Sequence, residues 1–183
     1  MKAIVIYTST TGFTKKHAEW IAEDLGAEAI EAGSLAKAGA LRAGLLSSYD
    51  VVIYGGSLHA VGIRGLKKFK PYLPALSGKK VIVFAVGATP DRKDVPEEVL
   101  AANFSPEERG RIRFFYLRGG FDYAKLGLGD KLLMTLLKLK LKSKATDERS
   151  PDERGMLASY AKPVDFTRRA YLDELVAYAK AEA

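Results

Sequence analysis

Cysteine does not occur in the 183 residues, which excludes disulfides, thiolate-held iron–sulfur clusters and cysteine nucleophiles. Histidine is almost as scarce. His17 and His59 have no serine-and-acid arrangement near them, and no His, Asp and Glu fall at metal-ligand spacing, so neither hydrolytic machinery nor a metal site is expected. No apolar run reaches the roughly 20 residues of a membrane span. Lys2 leads straight into an apolar strand with no signal peptide ahead of it, and a cytoplasmic protein is expected. Internal repeats and low-complexity linkers are missing too. So are the nucleotide loops built on Gly-x-x-x-x-Gly-Lys-Ser/Thr or Gly-x-Gly-x-x-Gly.

Acidic residues are outnumbered, 22 against 29 lysines and arginines, for a net charge of +7. The surplus is local, because Lys125 to Lys144 contains six lysines and Asp130 as its one acid. It is not interleaved with aromatics and sits in no RNA or DNA motif, so no nucleic-acid partner is expected.

What is present begins at the first apolar run. Ile4, Val5, Ile6 and Tyr7 read as a strand buried on both faces of a parallel sheet. The hydroxyl residues Thr8 to Thr11 follow, then Gly12, which allows a turn closed to other residues, and Thr14, placed to cap a helix. A strand, a hydroxyl-and-glycine loop and a helix N-terminus form an anion cradle, since backbone N–H groups converge there and the helix dipole adds positive potential. A phosphomonoester is the expected guest, held by amides and alcohols without a cation.

The rest of the chain alternates strands and helices, which predicts right-handed crossovers and a parallel sheet in one domain. Thr14 to Leu25 is a helix with Ala18, Ile21, Ala22 and Leu25 on one face and Gly26 as its stop. His17, a full turn below the loop, is expected to pack rather than act as a base. Further strands are expected at Ala27 to Ala32, Val51 to Tyr54, Val81 to Val86 and Ile112 to Leu117. The stretch Gly33 to Ser48 has weak helical character. Gly55 to Gly62 reads as a loop whose glycines let a flat ligand lie on the backbone, and Gly87 to Pro90 as the loop after the next strand. Helices are expected at Ile63 to Phe69, Pro96 to Asn103, Pro106 to Gly110, Leu128 to Lys142 and, capped by Asp165 or Thr167, through Tyr178.

On Leu128 to Lys142 the polar stripe Lys131, Thr135, Lys138 and Lys142 faces a broad leucine arc. The simplest expectation is a helix laid on the body with its lysines in solvent. The other is an interfacial helix that docks on an anionic membrane or a partner.

Ser9-Thr10-Thr11-Gly12-Phe13-Thr14 resembles the Ser/Thr-x-Thr-Gly-x-Thr loop with which flavodoxins hold the phosphate of FMN. The resemblance covers Met1 to about Leu117 and the C-terminal helix. It implies a flavodoxin-like three-layer α/β sandwich, a five-stranded parallel sheet in order 2-1-3-4-5, spanning 1–183 as a single domain with an insertion at about 119–163. It also implies FMN as cofactor. The phosphate would rest on Ser9, Thr10, Thr11, Gly12, Phe13 and Thr14; Gly56, Ser57, Leu58, His59 and Ala60 would border the ring, and Gly87, Ala88 and Thr89 would close its other side. No tyrosine lies in Gly87 to Val95, so Phe121 or Tyr123 is the candidate for ring stacking. His59 would contact the ring, offset charge on the reduced flavin, or sit in solvent.

Within flavodoxins the chain looks most like the branch containing the menaquinone-dependent protoporphyrinogen oxidases. Gly55-Gly56-Ser57-Leu58-His59 stands where that branch has a Gly-x-Ser-Ile-Arg-like loop, with His59 in place of the arginine, and the basic segment after Leu117 occupies the place of its insertion. Two functions follow: a redox protein exchanging electrons with a protein partner, or an FMN oxidoreductase working with a quinone at the inner membrane face through residues 128–144. Flavodoxin carriers are usually acidic, so the basic surplus here predicts an acidic or membranous partner.

Overall fold

Ile4 and Ile6 point into one apolar layer and Val5 and Tyr7 into another, so the first strand, β1 (Ala3–Thr8), is buried on both sides. The computed structural model describes residues 1–37, 43–90 and 94–181. After β1 come α1 (Phe13–Leu25), β2 (Glu28–Glu31), α2 (Ala32–Lys37) and α3 (Ala43–Ser47). Residues 38–42 of the weakly helical stretch lie outside the described residues. Then follow β3 (Val51–His59), β4 (Gly62–Ile63) and α4 (Leu66–Phe69), continued by a 3-10 turn at Lys70–Leu76, and β5 (Lys80–Gly87). The second half contains α5 (Asp94–Asn103), α6 (Pro106–Arg109), β6 (Arg113–Arg118), β7 (Gly120–Phe121), α7 (Leu128–Ser143), α8 (Pro151–Ser159), β8 (Val164–Asp165) and α9 (Asp173–Lys180).

The main sheet runs β2-β1-β3-β5-β6, all parallel, with β4 added antiparallel to β3. Leaving out β4, this is the expected 2-1-3-4-5 order. Helices α1 and α9 cover one face through Ala18, Ile21, Leu175 and Ala179. On the other, Leu46, Leu66, Phe69, Val95 and Val99 pack against Val52, Val81 and Val83. Order reverses between β1 and β3, and crevices for ligands open beyond strand ends at such a switch point.

Three expectations change. β3 does not stop at Tyr54 but runs on through both glycines to His59, because the two glycines serve packing. A Cβ at Gly55 would sit inside the Phe84 ring, and one at Gly56 would lie 2.5 Å from Ile63 Cγ2 and 2.7 Å from the Arg64 carbonyl. The chain then reverses at Ala60, a non-glycine residue at φ 50°, so Gly62 and Ile63 pair with His59 and Leu58 rather than opening a helix. Near the C-terminus, Asp165 accepts from the amide and hydroxyl of Thr167 in a local turn. The helix itself starts at Asp173, after a 3-10 turn at Arg169–Leu172.

Beyond β6, Gly120 and Phe121 pair antiparallel with Asp165 and Val164. This ribbon closes the base of a segment that lays α7 and α8 beside the strand ends.

Candidate cofactor site

Gly12 is the N-cap of α1 in the left-handed region, φ 96°, with no side chain to offer its helix. Thr14 is therefore not the cap: it lies inside the first turn, 1% exposed, its hydroxyl 3.1 Å from the Ser57 hydroxyl. The consequence favours an anion. The first helical N–H with a carbonyl partner is that of Lys16, bonded to Gly12, and the N–H groups one to three residues before it have no carbonyl inside the helix to receive them. Ser9 accepts from the Gly12 amide at 3.1 Å and Ser57 from the Thr10 amide at 3.1 Å, which ties the loop shut against β3.

The cradle opens into a cavity of about 570 Å³, within the range that holds a cofactor. Thr10, Thr11, Phe13 and Thr14 form one end. Ser57, Leu58, His59 and Ala60 line one wall, and Gly87, Ala88 and Thr89 another. Ser9, Gly12 and Gly56, also expected at the site, do not line it. The first two shape the loop, and Gly56 is enclosed in the sheet between Thr8 and Ala85.

The third wall was invisible to sequence reasoning beyond Phe121. Phe121 does reach the cavity, and Leu126, Leu133, Met134, Leu137 and Met156 complete an apolar wall from α7, α8 and the chain between β7 and α7. Tyr123 turns away, its hydroxyl 2.7 Å from that of Thr135. An end rich in hydroxyls and a largely apolar, aromatic-bearing remainder suit a phosphorylated ring.

A cation stands beside the cradle, touching one of its hydroxyls without itself lining the cavity. Arg64, brought back by the β3–β4 hairpin, donates through Nη1 to Thr10 Oγ1 at 3.1 Å and to Asp130 Oδ2 at 3.1 Å. Asp130, on the first turn of α7, also meets His59 Nδ1 at 3.2 Å. Neither Arg64 nor Asp130 is among the site residues that the sequence predicts. The signal available was Gly62 after a strand end, which suits a reversal as well as a loop.

Tyr54 lies beneath this corner, its hydroxyl 3.0 Å from Thr8 Oγ1 and donating to the Arg64 carbonyl at 2.9 Å. Burial pushes its pKa up to about 12, against the smaller opposing pull of the Thr8 bond. The phenol therefore stays protonated and structural. His17 is fully buried, with Nε2 3.2 Å from the Arg118 carbonyl and its ring edge-on to Trp20. Burial lowers its pKa, so it is a neutral packing residue outside the cavity. Among the described residues no group of three or more His, Asp and Glu could hold a metal.

A parallel α/β sheet with a hydroxyl-and-amide loop and a largely apolar cavity beside its switch point is an arrangement that suits a mononucleotide cofactor. The family model for the flavodoxin domain matches residues 4–148, and the chain belongs to that family. Its cofactor is accordingly FMN, and the protein is a flavoprotein of electron transport. Solved structures similar to the chain include a flavodoxin from the domain Archaea, 21% identical over 63% of this chain and 85% of that one, TM-score 0.42. An oxidised flavodoxin 1 from Bacillus cereus is 20% identical over 64% and 86%, TM-score 0.39. A WrbA-like flavodoxin from Agrobacterium tumefaciens is 18% identical over 70% and 87%, TM-score 0.43. The assignment rests on the family match and not on these distant likenesses. No curated protein matches the sequence.

Proposed function

We propose that this flavodoxin-family protein holds FMN with its phosphate on Ser9 to Thr14 and its ring between the Ser57–Ala60 and Gly87–Thr89 walls, and passes electrons to a protein partner. The observation that carries the reading is the uncapped start of α1, facing a cavity whose far walls are apolar. Bound there, FMN supplies the one- and two-electron chemistry that the side chains lack. The chain's own part is positional. The first-turn amides and the hydroxyls of Thr10, Thr11 and Thr14 neutralise the phosphate, while Phe121, Leu133, Met134 and Leu137 keep water from one side of the ring. Residues 119–163 are an insertion into the single domain 1–183.

The test is a visible spectrum of the freshly purified protein and an FMN titration followed by fluorescence quenching. Colourless protein without FMN affinity would overturn the reading. Replacing Thr11 and Thr14 together by valine is expected to weaken FMN far more than riboflavin, and equal losses would put the phosphate elsewhere.

A second reading is favoured by one feature of α7. The middle of its polar stripe turns toward the body: Thr135 meets Tyr123, and Lys138 Nζ lies 5.1 Å from the centre of the Tyr160 ring, while Lys142 at its end stays exposed. Most of its leucines are outside instead, with Leu128 89%, Leu132 64%, Leu133 65% and Leu136 56% exposed, and only Leu141 buried. Contiguous apolar surface on this scale marks an interaction site, and exposed Lys125, Lys140 and Lys142 flank it. An anionic bilayer matches both charge and apolarity. Among the described residues no helix is long and apolar enough to cross a membrane, so contact would be peripheral, with the cavity mouth beside the lipid as a quinone oxidoreductase of the protoporphyrinogen oxidase type requires. Leu132→Glu with Leu136→Glu should abolish sedimentation with anionic vesicles and leave FMN content intact. Turnover of protoporphyrinogen with a quinone separates this enzyme from a carrier, which should show none.

A further inference from the structure

We infer that Arg64 is a cationic ligand for the FMN phosphate, and that Asp130 is the counter-ion from which the phosphate takes it. This inference rests on the FMN reading above. The corner is built to place a guanidinium. The Arg64 amide donates to the Ser57 carbonyl at 2.9 Å, its carbonyl accepts the Tyr54 hydroxyl at 2.9 Å, and the next residue, Gly65, is left-handed at φ 77°. A Cβ at Gly65 would press on Tyr54 and on Thr8 Oγ1. With both neighbouring peptide groups fixed, the side chain extends to Thr10, a cradle hydroxyl, 3.1 Å from Nη1.

Asp130 lines the cavity, the one carboxylate among the described residues that does, and its side chain is 18% exposed. A carboxylate in a pocket for a phosphate dianion repels the guest unless its charge is met. Arg64 at 3.1 Å meets it, and His59 Nδ1 lies within hydrogen-bond reach of the same carboxylate at 3.2 Å. Arg64 is shared already, touching Thr10 and coming within 2.8 Å of His59 Nε2 as well. A doubly charged phosphate offers the guanidinium a stronger partner than one carboxylate does, and charge-assisted bonds to phosphate are the geometry arginine favours. Arg64 therefore discriminates FMN from unphosphorylated flavin, while Asp130 holds it in place at a cost to affinity.

Fluorescence titration of FMN and riboflavin against wild type, Arg64→Met, Arg64→Lys and Asp130→Asn tests this, with circular dichroism confirming each fold. Arg64→Met should weaken FMN roughly 10- to 100-fold and riboflavin hardly at all. Arg64→Lys should recover part of that loss, and Asp130→Asn should tighten FMN alone. The salt dependence of FMN binding should flatten in Arg64→Met. Unchanged FMN-to-riboflavin discrimination in Arg64→Met overturns the inference while leaving the cofactor assignment standing, and FMN weakened in Asp130→Asn overturns the exchange. Wild type that binds neither flavin removes the assignment itself.

Discussion

A methyl group added at residue 55 has no room, because Phe84 fills the space above the glycine. Gly55→Ala is expected to cost about 1–3 kcal/mol through overpacking, measured as a lower urea midpoint with an unchanged slope. The same substitution at Gly33, which has nothing within 4 Å, should cost far less. The pair Gly55-Gly56 shows what is legible in a sequence and what is not. That two glycines after a β-branched run need close approach is evident from residue type; that the approaching body is a phenyl ring and a hairpin, not a ligand, depends on strands far apart in the chain. His17 was legible as a packing residue from its place one turn below the loop. Its pKa is lowered by burial, so the unfolded chain takes up a proton near pH 6.5 that the folded chain refuses. Stability is then full above that pH and falls as pH drops below it. Melting temperature against pH should decline more steeply below pH 6.5 in wild type than in His17→Gln.

At the scale of elements, β1, β3, β5 and β6 were readable because each contains an unbroken apolar run; their parallel pairing followed from alternation with helices, and their order from the likeness to flavodoxins. The inverted helix was not. In α7 the sequence shows two faces but not which one meets the body. Tyr123 and Tyr160 decide it, one bonding Thr135 and the other donating to the Met134 carbonyl at 2.6 Å. Polar anchorage of this kind leaves leucines outside. Thr135→Val with Tyr160→Phe removes both bonds, each worth about 0.5–1.5 kcal/mol. Amide exchange along Leu128–Ser143 should quicken by roughly one to two orders of magnitude, with β1, β3 and β5 unaffected. Equal quickening everywhere would mean that α7 supports the whole fold.

For the whole molecule, the cavity draws on residues 10–14, 57–60, 86–89, 120–137 and 156, so a ligand that fills it ties these separate stretches together. Saturation with FMN at about 100 times its dissociation constant should add about 2.7 kcal/mol of stability, or roughly 5–10 °C in melting temperature for a chain of this length. Scanning calorimetry with FMN and with riboflavin checks this, and the phosphate should account for most of the difference between them. The hydroxyl-bearing end of this cavity was legible beforehand, since its residues are nearly consecutive. The apolar wall was not, because Leu126, Leu133, Met134, Leu137 and Met156 are ordinary residues made relevant only by where the β7–β8 ribbon sends the chain.

That ribbon makes the segment between its strands a replaceable cassette. Phe121 and Val164 are direct cross-strand partners, so a two-residue Asn-Gly turn could join them. The excised chain should still build its main sheet, bind flavin with one wall stripped away, and lose whatever surface the leucines provide, which allows cofactor capture and target choice to be assayed on separate molecules.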